Sequence, residues 1–261
     1  MQTFIKTIFL FVAYLLLGIF LVQALGGMTG SFVWQCVGAG FTLGVLAYRK
    51  TKGVEVSSYR LSRREIALFF LALFLLWFTG QGLSYAILQT MGDSLFSSYQ
   101  DTVLADPSLY LLLSLVIAPI AEEGIFRGFL YRTFRNAFGH PLVFAILVSL
   151  VFGLSHGTFV HLYIGFSLSL LSIICYEVTG RLFYSILLHS FHNFLAMTIS
   201  SLLPVFPIFS SLPVMTILSM MFFGVLLYKL YWVCYKRKVV WIYHKEEPFF
   251  PVAIEKNKEN L

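Results

Sequence analysis

Long apolar runs alternate with short polar breaks along this chain, and the alternation predicts eight helices that cross a bilayer. In order the runs cover about 4–25, 32–48, 66–91, 108–132, 142–156, 159–178, 182–203 and 214–235. Most approach the roughly 20 residues that a helix needs to cross about 30 Å of hydrocarbon. The breaks differ in charge. Arg49 to Glu65 carries Arg49, Lys50, Lys52, Arg60, Arg63 and Arg64 against Glu55 and Glu65, whereas the break after the third run carries Asp93, Asp101 and Asp106 and no base. Basic breaks stay in the cytoplasm. With eight runs, each of the 18 lysines and arginines falls on the inner side or the inner part of a span, so both termini are expected inside. The first run exceeds the 7–15 apolar residues of a signal peptide, and its removal would leave an odd number of spans, so a retained helix is expected.

Composition narrows the class. The chain is 59% hydrophobic and only 11% charged, against about 25% charged in an ordinary soluble domain. The expectation is an all-α polytopic membrane helix bundle, with residues 1–235 as one transmembrane domain and 236–261 as a cytoplasmic tail. In that tail Trp241, Tyr243, Phe249 and Phe250 are expected at the membrane interface. The net charge of +6 follows from topology, so the partner surface is the lipid bilayer and not nucleic acid. Cys36, Cys175 and Cys234 all fall in apolar runs without a C-x-x-C spacing, which predicts neither disulfides nor a thiolate metal site.

Few polar side chains then remain inside the spans: Glu122, Glu123, Arg127, His156, His189, His192 and Asn193, with Glu177 near an inner end. Each needs a reason, because a charge at the centre of a spanning helix costs about 2.5–3.5 kcal/mol on insertion scales. Glu123 and Arg127 stand at i and i+4 and share a helix face, acid before base. Glu122 points elsewhere, which leaves it as an uncommitted carboxylate suited to general-base chemistry. Phe152 and His156 form F-x-x-x-H, placing a ring under the imidazole. His189 and Asn193 form H-x-x-x-N, a pair of donors on one face that suits an oxyanion hole. His192 is the substitute for His189 if the register is shifted; only His189 shares a face with Asn193.

Metal chemistry has weak support. There is no H-E-x-x-H, so no metal ligands are assigned and no cofactor is expected; a divalent ion such as zinc would need donors from separate helices, for example Glu122, His156 and His189. No G-x-S-x-G supports a serine nucleophile.

In this order, Glu122-Glu123-x-x-x-Arg127, Phe152-x-x-x-His156 and His189-x-x-x-Asn193 resemble the three signature motifs of the CAAX-protease and bacteriocin-processing family of intramembrane endopeptidases. The resemblance covers about 111–203. It implies a catalytic cavity between the fourth, fifth and seventh helices, with Glu122 activating water, His156 helping to hold it, His189 and Asn193 stabilising the oxyanion, and Arg127 fixing Glu123. It further implies a peptide or membrane-protein substrate and a bacterial plasma-membrane location, with metalloprotease chemistry as a label applied to much of the family. The competing reading is a non-catalytic bacteriocin-immunity or partner-binding membrane protein. One tension accompanies the motif set. At 1.5 Å per residue, Glu122 lies in the inner part of its span and His156 nearer the outer end of its own, although the two are expected to meet.

Overall fold

A computed structural model describes residues 2–51, 61–91, 106–138, 141–156, 159–200 and 212–236. The secondary structure among them is helical, in eight helices: α1 Gln2–Leu25, α2 Gly27–Thr51, α3 Arg63–Met91, α4 Pro107–Phe138, α5 Pro141–Leu154, α6 Phe159–Thr179, α7 Leu182–Ser200 and α8 Leu212–Lys236. The eight expected runs each become one helix. The tail beyond Lys236, and Asp93 and Asp101 of the acidic break, lie outside the described residues.

Local chemistry sets two of the starts. Ser62 and Glu65 form a reciprocal cap at α3, with the Glu65 carboxylate accepting from the Ser62 amide at 2.8 Å and the Ser62 hydroxyl accepting from the Glu65 amide at 3.3 Å. Asp106 caps α4 by accepting from the Leu109 amide at 2.9 Å, and Pro107 follows at the first helical position, where its missing N–H costs nothing.

Among the described residues, five helices are long and apolar enough to cross a membrane: Phe4–Leu25, Gly27–Thr51, Arg63–Leu83, Pro107–Phe138 and Val160–Thr179. The chain is an integral membrane protein. Pro141–Leu154 is shorter, 14 residues or about 21 Å at 1.5 Å per residue. Side chains such as Phe9, Phe20, Phe70, Leu150 and Phe222 stand outward, as a lipid-facing surface requires.

Helix α6 stands between two cores. On one side Phe11, Phe126, Phe152 and Ile173 join α1, α4, α5 and α6; on the other Leu73, Leu76, Leu171, Leu226 and Leu230 join α3, α6 and α8. The α1–α2 pair docks on α4 through small residues. A Cβ on Gly38 would meet the Ala121 Cβ at 2.9 Å, and one on Gly124 would strike the Thr42 side chain. Glycine at both positions lets the backbones approach closely, the usual basis of helix association in lipid. This contact brings α2 against the middle of α4, where the carboxylates lie.

Candidate active site

Helix α4 is not a regular α-helix. Two stretches, Leu113–Ile117 and Glu123–Tyr131, take the wider i→i+5 pattern, separated by one α-helical turn, Ala118–Glu122. Such turns are rare and tend to occur at functional sites. Pro119 helps to explain the first. The Ala118 amide donates to the Leu113 carbonyl, five residues back. The next residue is Pro119, which has no N–H to offer the Ser114 carbonyl. That carbonyl is met instead by α7: Asn193 Nδ2 donates to it at 2.8 Å. The carboxamide expected as an oxyanion donor therefore also closes a gap in the α4 backbone ladder.

The two adjacent carboxylates separate as their spacing predicts. Glu123 is fully buried, with one oxygen 3.2 Å from Arg127 Nε and the other 2.9 Å from His189 Nδ1. The Arg127 guanidinium is itself fully buried and lies over the Phe152 ring, 4.4 Å from its centroid, an arrangement in which the aromatic face offsets part of the cation's desolvation. Glu122 keeps 17% of its side-chain surface. Its Oε1 accepts from Gln35 Nε2 of α2 at 2.9 Å, and its Oε2 faces His189 Nε2 at 3.8 Å. One imidazole thus touches both carboxylates: with Nδ1–H donated to Glu123, the ring is held with Nε2 aimed at Glu122. His189, and not His192, makes these contacts.

His156 stands apart from this group. Helix α5 ends at Leu154 and His156 falls on the turn that follows, where its Nδ1 lies 2.8 Å from the Phe152 carbonyl. It forms no ion pair with Glu122. The connection runs through Phe152, whose ring centroid is 4.9 Å from the His156 ring and 5.9 Å from the His189 ring. Phe152 therefore has contacts on three sides, to Arg127 and to both imidazoles. The expected meeting of Glu122 and His156 becomes an indirect one, because the short helix carries the histidine past its end.

Of the six expected residues, Glu122, Glu123, Arg127 and His189 form one contiguous group, Asn193 sits beside it on Ser114, and His156 joins it through a shared ring. Gln35 was not anticipated. It is a buried glutamine in the second apolar run, and its polarity in a span was the available signal. Among the described residues no three His, Cys, Asp or Glu side chains gather as metal ligands.

Below this site lies a second buried polar group. Arg135 of α4 pairs with Glu177 of α6, and the Arg132 guanidinium donates to the Tyr176 hydroxyl at 3.2 Å. Arg132, Arg135 and Glu177 are all buried. The expected polar residue near the inner end of the sixth span thus has its partner.

Residues 104–195 match the family model described as type II CAAX prenyl endopeptidase Rce1-like. The match takes in the six motif residues and excludes α1, α2, α3 and α8. No curated protein and no solved structure matches the chain.

Proposed function

We propose, from the match of residues 104–195 to the Rce1-like family model, that the chain is a CAAX-protease and bacteriocin-processing family intramembrane endopeptidase and that it hydrolyses a peptide bond in a membrane-associated peptide or protein by glutamate-activated water. The observation that carries this reading is the inequality of the two carboxylates: Glu123 is closed off by Arg127 and His189, while Glu122 retains an oxygen and some exposed surface.

Glu122 Oε2 accepts a proton from water as the water oxygen bonds to the scissile carbonyl carbon, and the carbonyl oxygen takes up the electron pair. A donor from α7 is at hand for that oxygen, since Asn193 has a second Nδ2 hydrogen beyond the one given to Ser114; His189 can join it only as an imidazolium, because its Nδ1–H is given to Glu123 and a neutral ring has no second N–H. When the tetrahedral species collapses, the C–N bond breaks and the proton held by Glu122 passes to the leaving amine. Positioned proton transfer of this kind contributes about 10²–10⁴-fold, and an oxyanion donor about 10²–10³-fold. The distribution of basic residues supports cytoplasmic termini, and a bacterial plasma membrane is the proposed location.

The test compares membrane peptides by mass spectrometry in cells carrying wild-type protein and the Glu122→Ala variant. Cleavage products present only with wild type support the enzyme. An identical peptide set, together with a fully retained cellular phenotype, overturns it and favours a protein that works by binding a bacteriocin or partner.

A further inference from the structure

The carboxylate assigned as base has a partner from a part of the chain outside the matched segment. Gln35 lies on the same face of α2 as Gly38 and Thr42, one turn before the close approach of Gly38 to Ala121. That approach holds the carboxamide against Glu122, which immediately follows Ala121. Gln35 Nε2 donates to Glu122 Oε1 at 2.9 Å. Behind it, the Tyr14 hydroxyl donates to Gln35 Oε1 at 3.4 Å. Tyr14 is anchored in turn: its ring packs on Trp34 with centroids 5.0 Å apart, and Trp34 Nε1 donates to the Tyr14 carbonyl at 2.9 Å.

The two ends of a carboxamide differ chemically. Turned over, Gln35 would set its own oxygen against a carboxylate oxygen and leave its NH₂ group against the phenol. The carboxylate, which can only accept, therefore selects the orientation in which the NH₂ group faces Glu122, and the Tyr14 hydroxyl, which can donate or accept, completes it by donating to Oε1. A hydrogen bond to an ionised acceptor is among the stronger neutral-to-charged contacts available in a buried site. It also distinguishes the two oxygens of Glu122. Oε1 is engaged by Gln35, and Oε2 is the one that faces His189.

We propose that Gln35 is a positioning residue for Glu122, braced from behind by Tyr14, and that the N-terminal helix pair thereby determines which carboxylate oxygen accepts the proton from water. The proposal rests on Glu122 being the base. Its consequence is that the site is incomplete in the matched segment alone: α1 and α2, which carry no motif, supply the contact that aims the carboxylate.

The test uses the full chain in nanodiscs with Gln35→Met, which keeps side-chain length and removes both donor and acceptor, and with Tyr14→Phe, which removes only the hydroxyl. Two readouts are taken. The first is kcat and KM on an internally quenched prenylated peptide. The second is the infrared carboxylate stretch of Glu122 in protein labelled with ¹³C-carboxyl glutamate, identified as the band lost in Glu122→Gln. Gln35→Met is expected to lower kcat about 10–100-fold, the worth of a hydrogen bond to a charged group, with KM within about twofold because the contact touches no substrate. It is also expected to shift the Glu122 band, and Tyr14→Phe to act in the same direction and less. Wild-type kcat with an unmoved band in Gln35→Met overturns the proposal. If wild type does not cleave the peptide, the infrared arm decides: a shifted band supports the positioning contact while the proteolytic reading fails, and an unmoved band overturns the contact as well.

Discussion

The protein holds two buried groups built from the same parts, an arginine and a glutamate among aromatic rings. In the lower one, Arg135 of α4 meets Glu177 of α6, with Arg132 on Tyr176. In the upper one, Arg127 meets Glu123 of its own helix and lies over Phe152. The upper group has one carboxylate more. Glu122 is left over after the neighbouring charges are matched, and it is the one that retains exposed surface and an oxygen without a close donor. A buried ion pair by itself is weak evidence of chemistry, since it does little more than offset its own desolvation. What sets a reactive site apart here is the surplus group and the imidazole that links it to the closed pair.

The comparison can be broken most severely at Glu123. Glu123→Gln removes the charge facing Arg127 and a contact to His189, and it is expected to cost about 3–5 kcal/mol, lowering both the thermal midpoint and the cleavage rate per folded molecule. Glu177→Gln strands Arg135 and is expected to cost a similar or slightly smaller amount, read as a lower thermal midpoint in detergent. It should leave cleavage per folded molecule within about threefold, because the lower group touches no part of the site. Equal loss of specific activity in the two variants would show that the groups are not distinct in role. A smaller effect is expected from Asn193→Ala. Opening the Ser114 carbonyl should cost about 1–3 kcal/mol of stability, and kcat should fall about 10²-fold or more if the second amide hydrogen serves the oxyanion. A midpoint shift with kcat intact would leave Asn193 as a backbone cap alone.

Much of this arrangement was legible in the chain. The eight helices follow from apolar runs and polar breaks, and the pairing of Arg127 with Glu123 and not Glu122 follows from their i, i+4 relation, which persists through the wider turns of Glu123–Tyr131. His189 rather than His192 at the carboxylates follows from the same rule. Other features were not accessible to spacing. Gln35 is 87 positions from Glu122, and no local periodicity links them; the contact depends on Gly38 and Gly124 letting two backbones approach. The consequence of Pro119, a Ser114 carbonyl met by Asn193 79 positions along the chain, is tertiary as well. His156 falls on the turn after α5, which stops at Leu154, and its imidazole turns back onto the Phe152 carbonyl, a placement that counting residues along an apolar run does not supply.

The central claim is that Glu122, and not its buried neighbour, performs the chemistry. It is tested most directly by Glu122→Gln purified beside wild type, with thermal midpoint and single-turnover cleavage of a prenylated peptide measured on the same preparations. The account predicts an unchanged midpoint and a cleavage rate lower by about 10²–10⁴-fold. A folded Glu122→Gln protein that cleaves within about threefold of the wild-type rate would contradict it.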